Sequence, residues 1–254
     1  MTEPIARVTG LTVDIATRRD RRADTVRVLD DVDLCLAAGS VTALIGESGC
    51  GKSMLAAALT GLLPPGSRVG GTVTVAGETL GVDDPRWRAL RGRHIGLVPQ
   101  SPMTSFTPVR TLGGQLSEVV DVLGGSRTPA ELCADVGLPV DALDCYPHEL
   151  SGGMAQRAAV AAAIVAEPAV IVADEPTSAL DPKRAQAIWA LLGSLAERGA
   201  AVLVITHDMD ALTEARVCRS IAVMRAGRIV AEQDLQACAE HPDDYVAAFF
   251  TPIR

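Results

Sequence analysis

The chain has 254 residues, 48% of them hydrophobic and 21% charged, which is enough material for a buried core and too apolar for a disordered or low-complexity protein. Its formal charge of −8 withholds the surplus of Lys and Arg that broad binding to phosphodiester backbones requires, so no nucleic-acid partner is expected. With 3% aromatic residues, the core must be filled by Ala, Val, Leu and Ile, and a stacking platform for single-stranded nucleic acid is disfavoured. The length fits one core carrying an inserted subdomain.

In chain order, Arg18–Arg22, with Asp20 inside it, reads as a solvated turn. No charged-then-apolar leader opens the sequence. Its longest uninterrupted apolar stretch, Ala158–Ala166, is far below the ~20 residues of a spanning helix, so work at a membrane is expected to need a partner chain. Val41–Ile45 predicts a strand that stops at Gly46, and Met54–Leu63 a helix ending at Pro64-Pro65. Ile95–Val98, Val170–Ala173 and Ala201–Ile205 are further buried-strand candidates, followed by Gln100, Asp174 and His207. In a parallel α/β sheet the loops after the strands' carboxyl ends converge on the ligand crevice, so these three residues are expected to meet at the glycine loop. From Gln100 to about Arg157 the pattern turns to Pro, Gly and Ser punctuation with short helices, Leu112–Leu123 and Pro129–Val136 among them, which predicts a helical insertion. His241–Arg254 reads as a short helix and a frayed end. The six cysteines show no C-x-x-C pair and no His at ligand spacing, which reads as reduced thiols.

Gly46, Glu47, Ser48, Gly49, Cys50, Gly51, Lys52 and Ser53 fit G-x-x-x-x-G-K-[ST] between a strand and a helix. Glycines let the backbone wrap phosphate, with N–H groups turned inward and the helix start adding partial positive charge. Lys52 is placed to reach the β- and γ-phosphates, and the Ser53 hydroxyl to ligate Mg²⁺. Val170–Glu175 is an apolar strand ending in two carboxylates: Asp174 is the metal ligand opposite Ser53, and Glu175 the residue that polarises the attacking water. Leu150, Ser151, Gly152 and Gly153 precede an Ala-rich helix and form a second anion-accepting helix start, or a simple N-cap.

Together these residues resemble the ATP-binding cassette (ABC) transporter ATPases over nearly the whole chain. The set looks like a Walker A loop at Gly46–Ser53, a Q-loop at Gln100, a signature at Leu150–Met154, and a Walker B strand at Val170–Asp174 with catalytic Glu175. Ser178–Asp181 looks like the D-loop and His207 like the switch histidine. The resemblance implies an α/β fold: a P-loop NTPase (RecA-like) core with an antiparallel β subdomain over 1–99 and 158–254, and an inserted α-helical signature subdomain over 100–157. It further implies ATP and Mg²⁺ as ligands, with Glu175, His207 and Lys52 catalytic, Gln100 joining Ser53 and Asp174 at the metal, and Leu150–Gly153 and Asp181 serving nucleotide in a head-to-tail dimer. Transmembrane permease subunits, a second cassette (a sister chain or a copy of itself) and, indirectly, an extracytoplasmic solute-binding protein are the implied partners. The implied location is peripheral, on the cytoplasmic face of the inner membrane.

Within the family, Gly46–Gly49, Gln100–Val109 and Tyr146–Met154 look like the peptide and nickel importer group, whose solutes include peptides, nickel and metal chelates. Met154 replaces the polar residue usual at the fifth signature position. No Tyr or Phe precedes the phosphate loop, where the family stacks adenine, so Arg27 or Val28 is expected to stand in and base selectivity to be weak. Cys50 reads as a small residue tolerated by the turn, with a redox switch as the alternative. The competing function is a soluble cassette ATPase of DNA repair, translation or iron–sulfur assembly. The compact stretch between Ser53 and Ser151 lacks the long insertion of DNA-repair relatives, and the chain holds one cassette where ribosome-acting relatives join two.

Overall fold

The computed structural model describes residues 4–16, 25–81, 83–178 and 180–250, so the basic run Arg18–Arg22 and the last four residues lie outside the described residues. Two sheets organise the chain. The smaller is antiparallel, in the order β2-β1-β4-β5, from β1 (Pro4–Ala16), β2 (Thr25–Ala37), β4 (Arg68–Val75) and β5 (Glu78–Leu80). The larger combines β3 (Ser40–Gly46), β6 (Ile95–Val98), β7 (Val170–Asp174), β8 (Ala201–Ile205), β9 (Cys218–Arg225) and β10 (Arg228–Gln233) in the order β10-β9-β3-β8-β7-β6. Its five strands from β9 to β6 run parallel, and β10 closes one edge as the antiparallel arm of a hairpin.

Alternation along the parallel strands divides the core in two, because successive side chains leave opposite faces of a pleated sheet. Val41, Ala43, Ile45, Ile171, Ala173, Val202, Val204, Ile221 and Val223 face one hydrophobic cluster, filled mainly by helices. Leu44, Val170, Val172, Ala201, Leu203, Ile205, Ala222 and Met224 face the other, shared with the small sheet, α1 (Lys52–Leu59) and α2 (Trp87–Leu90). Burial on both faces explains why β7 and β8 read as apolar runs, and β3 as one interrupted only by Thr42 between Val41 and Ile45, rather than as alternating strands.

Between β6 and β7 come α3 (Pro102–Ser105), α4 (Leu112–Leu123), α5 (Pro129–Asp135) and α6 (Gly152–Ala163). Local chemistry sets their limits. Thr111 caps α4 by accepting from the Gly114 N–H, and Gly124 ends it at φ 69°. Thr128 and Glu131 form a reciprocal capping box on α5. The later helices are α7 (Pro182–Glu197), α8 (Met209–Ala215), α9 (Leu235–Ala239) and α10 (Asp244–Ala248). Among the described residues no helix is long and apolar enough to cross a membrane.

The helix expected over 54–63 instead spans 52–59. Gly61 adopts φ 64° and its N–H donates to Ala58 O, while the Leu62 N–H donates to Ala57 O at 2.7 Å. This glycine-terminated exit ends the helix although the apolar run continues. A Cβ on Gly61 would lie 2.3 Å from the Trp87 ring, so the turn and the packing require the same residue.

The two-faced core predicts a contrast between positions. Leu203→Ala, at a fully buried site in β8, is expected to cost about 2–5 kcal/mol in denaturant unfolding, whereas Val122→Ala on exposed α4 should stay within about 0.5 kcal/mol. Equal losses would contradict this division.

Candidate nucleotide site

The loop after β3 is shaped by steric exclusion. Gly46 has φ 152°, and a Cβ there would sit 2.3 Å from Met224 O; at Gly51, with φ 114°, it would sit 2.9 Å from Leu29 Cδ2. Gly51 is also the N-cap of α1 and offers no side-chain acceptor, so first-turn N–H groups of α1 remain open to the cleft. Lys52 is buried and its ammonium donates to Gly46 O at 2.7 Å and Glu47 O at 2.8 Å, arched over the loop's own backbone. The cleft above has a volume of about 720 Å³, within the range of small-molecule sites. It is lined by Gly46–Gly49, Gly51–Met54, Val28, Gln100, Glu175, His207 and Phe249.

Three strands deliver the polar groups. The register β3–β8–β7 aligns Leu44 with Ile205 and Ile205 with Asp174, so the chain leaves all three strands at one edge. Glu175 follows immediately in the left-handed region, φ 47°, held there by its N–H donating to Ile205 O at 2.8 Å. A non-glycine residue at such an angle is a local strain. Its carboxylate is clamped from two sides: Gln100 Nε2 donates to Oε2 at 3.1 Å, and His207 Nδ1 lies 3.0 Å from Oε1. Thr206 anchors the histidine loop, donating its N–H to Leu44 O and accepting from the Asp208 N–H.

Asp174 tests whether a metal fits. Burial pushes its carboxyl above the ordinary range against the opposing hydrogen bond from the Ser53 hydroxyl, and Oδ1 has no hydrogen-bond partner among the described residues. A desolvated carboxylate oxygen beside a hydroxyl, at the foot of a phosphate-type loop, is a donor set suited to a hard divalent cation. The residues therefore fit Mg²⁺. Gln100 is bonded to Glu175, so the structure brings it to the cleft on the carboxylate side.

The signature residues stand apart from this cleft. Ser151 caps α6, its Oγ accepting from the Met154 N–H, and Leu150 is buried in the helical core. Ser151, Gly153, Arg157 and Arg184 help line a separate cavity of about 260 Å³. Asp181 caps α7 and pairs with Arg184 at 3.2 Å. Within one chain, then, Leu150–Gly153 and Asp181 do not meet Lys52. Cys50 departs from the rest of its loop: the residue is 8% exposed and packs in the core cluster rather than lining the cleft, which favours the small-residue reading.

Of the two residues expected to replace an adenine-stacking aromatic, Val28 lines the cleft but Arg27 does not. The Arg27 guanidinium is tied to Asp14 at 2.9 and 3.2 Å and to Asp30 at 3.3 Å, because flanking carboxylates on β1 and β2 satisfy it. Phe249, just past α10, was not foreseen; its only sequence signal was being aromatic in a chain that has few such residues.

The sequence pattern of the ABC transporter family matches residues 29–178. A probable peptide ABC transporter ATP-binding protein, y4tR of Sinorhizobium fredii, is 39% identical over 90% of this chain and 72% of its own length. The oligopeptide transport ATP-binding protein OppD of Mycobacterium tuberculosis is also 39% identical, over 89% of this chain but only 38% of its own length. Among solved structures, the dimeric post-hydrolysis state of the ATP-binding cassette MJ0796 bound to ADP and Pi is similar with a TM-score of 0.77 at 27% identity, covering 91% of this chain and 98% of that one.

Two outcomes follow from the site's chemistry. Brief treatment with N-ethylmaleimide is expected to label exposed Cys35, spare Cys50 and leave ATP turnover unchanged; turnover lost in step with Cys50 modification would contradict its buried placement. Asp174→Asn removes a desolvated charge, so in buffer free of Mg²⁺ and nucleotide the melting temperature should rise by about 2–4 °C, and a fall would show that the carboxylate is stabilising. The chain belongs to the ABC transporter family and is its ATP-hydrolysing component.

Proposed function

We propose that this cassette binds ATP over Gly46–Ser53 and hydrolyses it to drive an importer of peptides, nickel or metal chelates, with peptides favoured by the names of the relatives. The observation that carries the reading is the convergence of Gln100 and His207 on Glu175, at the rim of a cleft whose floor is Lys52. Lys52 and the open N–H groups of α1 hold the β- and γ-phosphates. Ser53, Asp174 and Gln100 are the residues that would hold Mg²⁺, which when bound supplies positive charge against the phosphate oxygens. Glu175 orients and polarises a water; its oxygen attacks the γ-phosphorus as the bond to the β-phosphate oxygen breaks, the proton passes to Glu175, and ADP and phosphate leave. His207 steadies the γ-phosphate side. Each Glu175 oxygen meets one of these two side chains and keeps acceptor capacity for a water, so Gln100 and His207 orient the carboxylate, and through Gln100 it is joined to the helical segment 100–157.

Leu150–Gly153 and Asp181 are assigned to the site of a second cassette, a sister chain or another copy. Their separation from Lys52 within one chain supports that reading, as does the dimeric state in the MJ0796 structure's description. Permease subunits, served by an extracytoplasmic solute-binding protein, would provide the membrane path, with this chain peripheral on the cytoplasmic side. The soluble DNA-repair, translation or iron–sulfur alternative finds no support among relatives named for peptide transport.

Glu175→Gln keeps the shape of the side chain and removes its proton-accepting charge. Turnover by the assembled complex should fall roughly 10²–10⁴-fold with nucleotide affinity retained, and an ATP-dependent dimer should accumulate on size measurement. A variant that hydrolyses ATP as fast as the parent would remove Glu175 from the reaction.

A further inference from the structure

The phosphate half of the cleft is accounted for by the loop and α1, whereas no aromatic precedes β3, where the family resemblance implies one. The chain has two Trp, two Tyr and three Phe, and none precedes Trp87. Trp87 and Trp189 are buried in the two cores, and Phe106 and Tyr146 belong to the helical segment between β6 and β7. Of all seven, Phe249 alone lines the nucleotide cleft, where it is half-buried and shares the wall with Val28 and Met54.

Its position is built rather than incidental. Tyr245, one helical turn earlier, meets Phe249 edge-to-face, with centroids 5.2 Å apart and planes at 85°. The Tyr245 hydroxyl donates to Met224 O at 3.1 Å and lies close enough to Glu47, inside the phosphate loop itself, for that residue to influence its ionisation. On its other side the Arg225 guanidinium lies 4.7 Å from the Tyr245 ring centroid. Val246 is fully buried, which fixes α10 against the core. The C-terminal helix is thus held at the end of β9, beside the loop that cradles phosphate, and this places an aromatic ring on the cleft wall.

We infer that Phe249 is the base platform of this cassette: the purine of the nucleotide packs against its ring, and Tyr245 is the positioning residue that sets the ring at the cleft wall. The inference rests on the ATPase reading and adds a base-binding residue from the opposite end of the chain. A ring face recognises any purine, so ATP and GTP should bind with comparable affinity, while ligands without a base gain nothing from it.

The test compares Mg²⁺·AMP-PNP with inorganic tripolyphosphate by calorimetry. Phe249→Ala should weaken AMP-PNP about tenfold and leave tripolyphosphate binding unchanged, and Phe249→Trp should restore affinity, its indole fluorescence responding to AMP-PNP but not to tripolyphosphate. Retained tripolyphosphate binding shows that the loop is intact in the alanine variant. If Phe249→Ala binds AMP-PNP as the parent does, or loses both ligands equally, the platform assignment is overturned. A parent that binds neither ligand overturns the ATPase reading beneath it.

Discussion

Everything at the site depends on the parallel pairing of β3, β8 and β7. Hydrogen bonding in that register brings the ends of three distant segments to one edge of the sheet, where the backbone of each must turn. The turns carry the chemistry: a glycine loop after β3, a carboxylate pair after β7 and a histidine after β8. Two packed faces hold the strands from both sides, so the turns inherit the rigidity of the core although each also carries exposed or half-buried residues, Ser48, Glu175 and His207 among them.

That rigidity sustains several groups that isolated peptides would not tolerate. Glu175 has a left-handed backbone without being glycine, Asp174 keeps an unpartnered oxygen away from water, and Lys52 is buried on its own loop carbonyls. Each is a cost that binding of a polyphosphate and a divalent cation would offset, which is how a ligand biases one arrangement over another. On the proposed reading, Glu175 is the point where that bias becomes mechanical. Its two oxygens tie the β6 exit, through Gln100, to the β8 exit, through His207, so a ligand that competes for either tie is felt by the helices that follow Gln100.

The sequence made this arrangement legible where the local signal and the tertiary demand coincided. Ile95–Val98 and Ala201–Ile205 are strands with the predicted limits because two-sided burial writes itself as an unbroken apolar run. Leu112–Leu123 was readable because Thr111 and Gly124 mark its ends. Signals were weaker elsewhere. The small sheet was foreseen only through family likeness, since β1 and β2 are long strands with register shifts and one solvent-facing side, and β9 at the flank of β3 gave no distinct pattern. The helix after the phosphate loop is shorter than its apolar run suggests, because hydrophobicity outlasts it past Gly61. Arg27 could not be rejected without seeing Asp14 and Asp30 beside it, and Phe249 could not be found because nothing in a linear reading joins residue 249 to residue 47.

On the proposed reading the cleft holds one half of the chemistry, and the signature residues, which do not line it, serve the site of a second cassette. The most direct test is phosphate release from Mg²⁺·ATP per molecule of this chain while the concentration of a second cassette, another copy or the sister chain, is raised. If two chains build each site, turnover per molecule should climb with the second cassette and saturate, and Lys52→Ala should abolish it. Turnover per molecule that stays constant down to the lowest dilution would mean that a single chain completes the site alone, contradicting the account.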